Sequence, residues 1–264
     1  MTGKDRKDVS FDQLKERFRR NVYQTGKGEI RLALTRADML ASIPELASGK
    51  SLRILDAGGG MGQMAIWLAA MGHQVTMADI SEEMLNHARE NLENEQLADR
   101  VRIFHAAIQD LPGLLAGKSF DLILLHGVIA WLEKPLQAVE SLLPLLASGG
   151  RMSVLYFNRD KLILKWGITG QIESALSGRG RKKGSLTPVN PVSFAEFAAF
   201  CAEKKLTIIS KAGIRIFYRF FLKFPESFQV SIEDFIRLEL QYCRTEPYAS
   251  LGEHTHLVIK AEDR

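Results

Sequence analysis

Cysteine is scarce: Cys201 and Cys243 are the only two in 264 residues. Two thiols supply neither a disulfide framework nor a four-cysteine metal site, so a reducing cytoplasm is the expected setting. Long apolar runs are missing too. No stretch approaches the ~18 uninterrupted apolar residues that a bilayer-spanning helix needs, and no membrane association is expected. The first ten residues, MTGKDRKDVS, are charged and hold no apolar run, so no secretory signal is expected. The remaining composition is ordinary, with 46% apolar and 25% charged residues, near a globular average. It excludes a disordered, collagenous or disulfide-stapled chain. The length suits one large domain, or one domain with a cap.

Charge is nearly balanced overall, with 35 Lys+Arg against 31 Asp+Glu, but it is unevenly placed. Residues 1–36 hold ten Lys/Arg and five Asp/Glu; residues 158–192 hold seven and two. Two basic segments therefore flank an acidic body. Arg179, Arg181, Lys182 and Lys183 are the densest part, set among glycines. Clustered cations in a loop suit a polyanion such as RNA, and a merely solvated loop is the plain alternative.

Phe11, Leu14, Phe18 and Val22 recur at helical spacing, and a second helix is expected over 28–43, ending before Pro44. Short apolar runs at 52–56, 75–79, 101–105, 120–125 and 151–157 read as strands. Helices are expected between them, over 62–71, after the N-cap Ser81, and over 134–147, where Gly149 and Gly150 would end the last one. Strands alternating with helices imply a doubly wound α/β fold with a mostly parallel sheet. Residues 158–192 break the rhythm and read as a mobile basic insertion over the carboxyl edge of the sheet. Then come a helix from Ser193 to about Lys204, a strand at 206–212, an irregular aromatic stretch at 218–230, a helix to about Tyr242 and a last strand at 254–261.

In such a sheet, ligands bind beyond the carboxyl ends of the strands, where strand order reverses. There the chain places Asp56, the run Gly58-Gly59-Gly60, Asp79, Ile108-Gln109-Asp110 and His126. Glycines let a ligand approach the backbone closely. Gln63 stands where a dinucleotide fingerprint needs its third glycine, which disfavours a pyrophosphate cofactor. Asp79 ends the second strand and suits a ribose diol. Asp56 suits the loop amides or a ligand ammonium. His254 and His256 share a face of the last strand, but no third metal ligand is evident, and no metal is expected.

The pattern D-x-G-G-G-x-G, the strand-end acid and the later Gln-Asp resemble a class I S-adenosylmethionine-dependent methyltransferase. The flanking segments carry the likeness further. NVYQTGKGEIR, LDAGGGMGQMAIWLA, HAAIQD, LLHGVIAWLEKP and LELQYCRTEPYASLGEHTH resemble the CmoM family, formerly SmtA, of bacterial tRNA 5-carboxymethoxyuridine methyltransferases. The resemblance spans about residues 11–260. It implies a seven-stranded sheet, with residues 1–45 as an N-terminal helical lid and 46–264 as the methyltransferase domain carrying the basic insertion. It also implies S-adenosylmethionine as cofactor, the tRNA anticodon stem-loop as partner and a wobble carboxylate as acceptor, giving a methyl ester. By the same resemblance, Arg31 would meet the methionine carboxylate and His126 would line the cofactor pocket. The family carries an acid before its tryptophan where this chain has Ala130-Trp131, a departure that bears on acceptor choice.

A carboxylate acceptor is anionic at neutral pH and needs no general base. It needs cations and hydrogen-bond donors to place it, and Tyr156, Asn158, Arg215 and Arg244 are the candidates. Trp131, Trp166, Phe217, Tyr218, Phe220 and Phe221 are candidates to stack on a base, with core packing the default. A methyltransferase for a small carboxylate or quinone-type acceptor is the alternative. A non-catalytic RNA-binding protein follows it, and a nicotinamide dehydrogenase ranks last.

Overall fold

The computed structural model describes residues 26–178, 188–221 and 229–261. The helix expected near residues 11–22 and the basic group Arg179, Arg181, Lys182 and Lys183 lie outside that range.

Seven strands form one sheet: β1 Arg53–Ala57, β2 Gln74–Asp79, β3 Val101–His105, β4 Phe120–His126, β5 Leu146–Phe157, β6 Leu206–Ile214 and β7 His254–Ala261. Their spatial order is β3-β2-β1-β4-β5-β7-β6. β1 to β5 pair in parallel, and β7 runs antiparallel to both β5 and β6. Strand order reverses between β1 and β4, so the crevice outside their carboxyl ends is the expected ligand site.

Helices cover both faces. On one lie α1 Gly26–Ser42, α2 Gln63–Ala70 and α3 Glu82–Asn94. They bury Met39, Leu68 and Leu85 against Ile54, Met77 and Leu124, and Ile30 against Leu155, Ala212 and Ile214. On the other lie α4 Pro135–Leu142 and α7 Phe194–Glu203, packed over Leu55, Ile123 and Val154. Between them in sequence come α5 Arg159–Ile168 and α6 Ile172–Ser177, and α8 Ile232–Tyr242 packs beside α1. The period-2 alternation of each strand decides which side chain meets which layer.

Two expectations change. The helix after β4 stops at Leu142 and tightens into a 3-10 turn over Leu143–Leu145, where Pro144 has no N–H to continue the α-helical ladder. Gly149 and Gly150 are then part of β5. The register slips there, from Phe120 opposite Leu146 to Leu122 opposite Arg151. Gly149 has φ +71°, and a Cβ on Gly150 would lie 2.9 Å from the Ala147 carbonyl oxygen. The first part of the basic insertion is also helical rather than loose. Asn158 caps α5 by accepting from the Asp160 and Lys161 amides, and Leu162 and Trp166 are buried. Ser193 and Glu196 form a reciprocal capping box at the start of α7.

Candidate functional site

The carboxyl ends of β1 to β4 meet at a glycine turn. Gly58 and Gly60 take φ of +83° and +58°, a region costly for other residues. The Gly58 and Gly59 amides donate to the Ala78 carbonyl at 2.7 and 3.1 Å. The Gly60 amide donates to Asp79 Oδ2 and the Ser81 amide to Asp79 Oδ1, both at 2.9 Å. Asp79 thus pins the turn with both carboxylate oxygens. A Cβ on Gly58 would lie 2.4 Å from Val128 Cγ2, and one on Gly59 would lie 2.8 Å from Asp56 Oδ2. The turn is therefore packed so closely against Val128 and Asp56 that glycine alone fits it.

Asp56 is buried, and its Oδ2 has no hydrogen-bond partner among the described residues. Burial, then the nearby Asp79 charge, pushes its carboxyl up to about 7. A buried acid held at the edge of protonation beside a turn of bare glycine backbone fits a ligand that brings positive charge. Ile108, Gln109 and Asp110 form a 3-10 turn directly after β3. Ile108 packs into the core, while Gln109 and Asp110 are exposed.

His126 ends β4 on the other side of the reversal. Its Nε2 lies 2.8 Å from Ser153 Oγ, which lies 2.7 Å from His256 Nε2. His256 Nδ1 lies 2.5 Å from Asp38 Oδ2, and Arg244 Nε donates to Asp38 Oδ1 at 2.6 Å. Asp38 and His256 are fully enclosed. Burial pulls the Asp38 carboxyl upward, but hydrogen bonding to His256 and the charges of His256 and Arg244 hold it below its ordinary value. Burial keeps His126 well below the ordinary imidazole range, with the His256 and Arg31 charges adding to it. Arg31, on α1, also lowers His254, so its charge bears on the ends of both β4 and β7.

The sequence reading of acceptor contacts is corrected at three positions. Tyr156 is wholly buried on the α7 face, stacked on Phe197 with ring centroids 5.2 Å apart. Strand alternation turns it away from α1 and His126. Asn158 is a helix cap, and its amide also donates to the Ser250 and Gly252 carbonyls. Arg244 donates to Asp38 and, at 2.7 Å, to Ser42 Oγ, near the far end of α1. Arg215, with φ +62°, is ion-paired with Glu253. His254 and His256 do share a face, but His256 serves the Asp38 chain and His254 lies 4.4 Å from the Phe157 ring centroid.

What the sequence reading missed is a cavity of about 330 Å³ between the start of α1, α5 and the helical turn Tyr218–Phe221. Lys27, Lys161, Lys165 and Arg219 face it, with Glu253 at one side. Leu164, Ile168 and Phe220 give it apolar wall. Lys27 precedes Arg31 by one helical turn, a spacing visible in the sequence once α1 is recognised.

Comparison with known proteins adds the following. The family described as "Methyltransferase domain" matches residues 55–154. The chain is 34% identical over 254 residues, 96% of each chain, to the tRNA 5-carboxymethoxyuridine methyltransferase of Escherichia coli K12. The demethylmenaquinone methyltransferase of Clavibacter sepedonicus is 32% identical, over only 56% of each chain. Among solved structures, the plantazolicin methyltransferase BpumL, in complex with SAH, aligns with TM-score 0.56 at 19% identity, covering 95% of this chain and 91% of that one. The N-methyltransferase NodS from Bradyrhizobium japonicum WM9 aligns with TM-score 0.51 at 13% identity, covering 90% and 98%. These structural likenesses carry the fold.

Proposed function

This chain belongs to the tRNA 5-carboxymethoxyuridine methyltransferase family, and from that premise we propose that it transfers a methyl group to the carboxylate of 5-carboxymethoxyuridine at the tRNA wobble position, forming the methyl ester. The observation that carries the reading is the identity to the Escherichia coli enzyme along 96% of both chains. The small-molecule relative aligns over about half of each chain.

S-adenosylmethionine is the cofactor, and when bound it supplies an electrophilic methyl group. The chain's own residues do the rest. The glycine turn admits the nucleoside, and Asp79 accepts from its ribose hydroxyls while still holding the Gly60 and Ser81 amides. Gln109 and Asp110 stand at the base side, beyond β3. Asp56 takes charge from the ammonium end, and Arg31 pairs with the carboxylate end. His126 is held neutral and oriented by Ser153, so it lines the site without acting as a base. The acceptor carboxylate carries its own nucleophilic electron pair, and catalysis rests on alignment and a fixed electrostatic setting. The N-terminal residues 1–45, of which α1 is part, act as the lid, and Arg179, Arg181, Lys182 and Lys183 contact the phosphates of the anticodon stem-loop.

Nucleoside mass spectrometry tests this directly. Transfer RNA from cells lacking the gene should accumulate the free 5-carboxymethoxy acid, and purified protein with S-adenosylmethionine should convert it to the ester. An unchanged wobble nucleoside would reject the tRNA acceptor and leave the small-carboxylate alternative.

A further inference from the structure

We propose that the cavity between α1, α5 and Tyr218–Phe221 is the acceptor pocket, holding an unstacked pyrimidine against its apolar wall and the anionic substituent of that base among Lys27, Lys161, Lys165 and Arg219. This assignment rests on the function proposed above and specifies where its substrate sits.

Three features point the same way. First, the lining is chemically divided. Leu164, Ile168 and Phe220 offer flat or aliphatic contact, while four cations converge from three separate elements. The Phe220 ring is partly exposed, and Lys161 Nζ sits 3.7 Å from its centroid. A base face and a carboxylate beside it match this division better than a purely apolar or purely ionic ligand does.

Second, the described acid in the wall is engaged by a cation outside the lining. Glu253 is ion-paired with Arg215. Burial favours its neutral form, but the Arg215 charge outweighs this and pulls the group down to about 2. Lys27 is also lowered, which for a cation disfavours the charged form: burial acts first, then repulsion from Arg219 and Arg215, against a smaller pull from Glu253. An anion placed there relieves that repulsion.

Third, α1 links the cavity to the proposed cofactor site. Lys27 and Arg31 lie on one face of α1, one turn of about 5.4 Å apart. The Arg31 charge is felt at His126 and His254, at the ends of β4 and β7, and His254 follows Glu253 directly. A base in the cavity therefore has its substituent next to the cofactor end of α1.

The test uses the full chain. Lys27→Gln and Arg219→Gln should each raise the KM for undermodified tRNA about ten-fold or more, the loss of one charge-assisted contact. Binding of S-adenosylhomocysteine, measured by calorimetry, should stay within about two-fold of wild type, and Lys27→Arg should restore most of the KM. Wild type with S-adenosylhomocysteine bound should bind the free nucleoside 5-carboxymethoxyuridine and reject uridine, and the two Gln variants should lose that binding. Unchanged KM in both variants overturns the proposal. Equal affinity for uridine monophosphate and the carboxylated nucleoside also overturns it, because the cations would then be reading phosphate. If wild type methylates no tRNA, the function proposed above fails on its own, and the nucleoside titration still decides what the cavity binds.

Discussion

At the level of single residues, Gly58 and Asp56 make opposite demands on the same turn. Gly58 must remain without a side chain: its φ is +83°, and a Cβ would sit 2.4 Å from Val128 Cγ2. Gly58→Ala should cost roughly 1–3 kcal/mol in urea unfolding and lower cofactor affinity at least about ten-fold, as the turn shifts. Retained affinity with lost stability would show that the turn bends without serving the ligand. Asp56 has a carboxyl raised to about 7 by burial and by Asp79. The native state then holds a proton that the unfolded chain releases near pH 4. Its contribution to stability is greatest below pH 4, falls as pH rises to about 7, and is flat above. The difference in unfolding free energy between wild type and Asp56→Asn should fall by as much as roughly 4 kcal/mol across that window. Denaturation series without cofactor at pH 4, 5.5 and 7.5 would measure it. A flat difference would mean that Asp56 is ionised throughout, and that the site does not depend on ligand charge to settle it. Both residues were legible in the sequence as a strand-end acid and a glycine run. The raised pKa was not, because it depends on burial and on how closely Asp79, from a different strand, is packed.

At the level of elements, caps and registers decide which side chains reach the site. Asn158 reads in sequence as a polar residue at the end of a strand, and a place in the acceptor site follows naturally. In the fold it is spent: it caps α5 and ties the helix to the Ser250 and Gly252 carbonyls. Asn158→Ala should lower stability by about 1–3 kcal/mol through the lost cap and two unpaired carbonyls. Because α5 forms one wall of the cavity, the KM for tRNA should rise more than kcat falls. Thermal unfolding and steady-state kinetics on one preparation would separate the two effects. A kcat loss with unchanged KM would return Asn158 to the reacting atoms. Tyr156 was misplaced for a simpler reason. Being next to a site in sequence does not say which face of the strand is used, and the alternation of β5 sends Tyr156 to the α7 layer. Arg244 illustrates a third case, in which a charge near a family-like motif is engaged by an acid, Asp38, from the other end of the chain.

At the level of the whole molecule, the relevant quantity is where the charge sits. A net of +4 spread evenly would attract RNA weakly. Concentrated in two segments of the chain, the same charge gives a salt-dependent grip. For a tRNA acceptor, log KM should rise linearly with log salt between 50 and 200 mM potassium chloride, with a slope of about 0.7 per phosphate contacted. The KM for S-adenosylmethionine should change little. Matching slopes for the two substrates would argue for a small acceptor and against a polyanion. Among the described residues no helix is long and apolar enough to cross a membrane.

The sequence by itself determined the strands and their alternation with helices, the acids at the ends of β1 and β2, the glycine turn, and membership of a methyltransferase family. These are local or repeating signals: hydrophobic period, glycine where φ is positive, and acids at strand ends. Tertiary structure alone decided what those residues do together. It joined Asp38, Ser153, His256 and Arg244 into one support for His126, withdrew Tyr156 and Asn158 from the acceptor site, and gathered Lys27, Lys161, Lys165 and Arg219 around one cavity. The physical reason is that pairing, burial and repulsion depend on distance in space. Residues more than a hundred positions apart become neighbours only when the β1–β4 reversal and the antiparallel β7 bring them together.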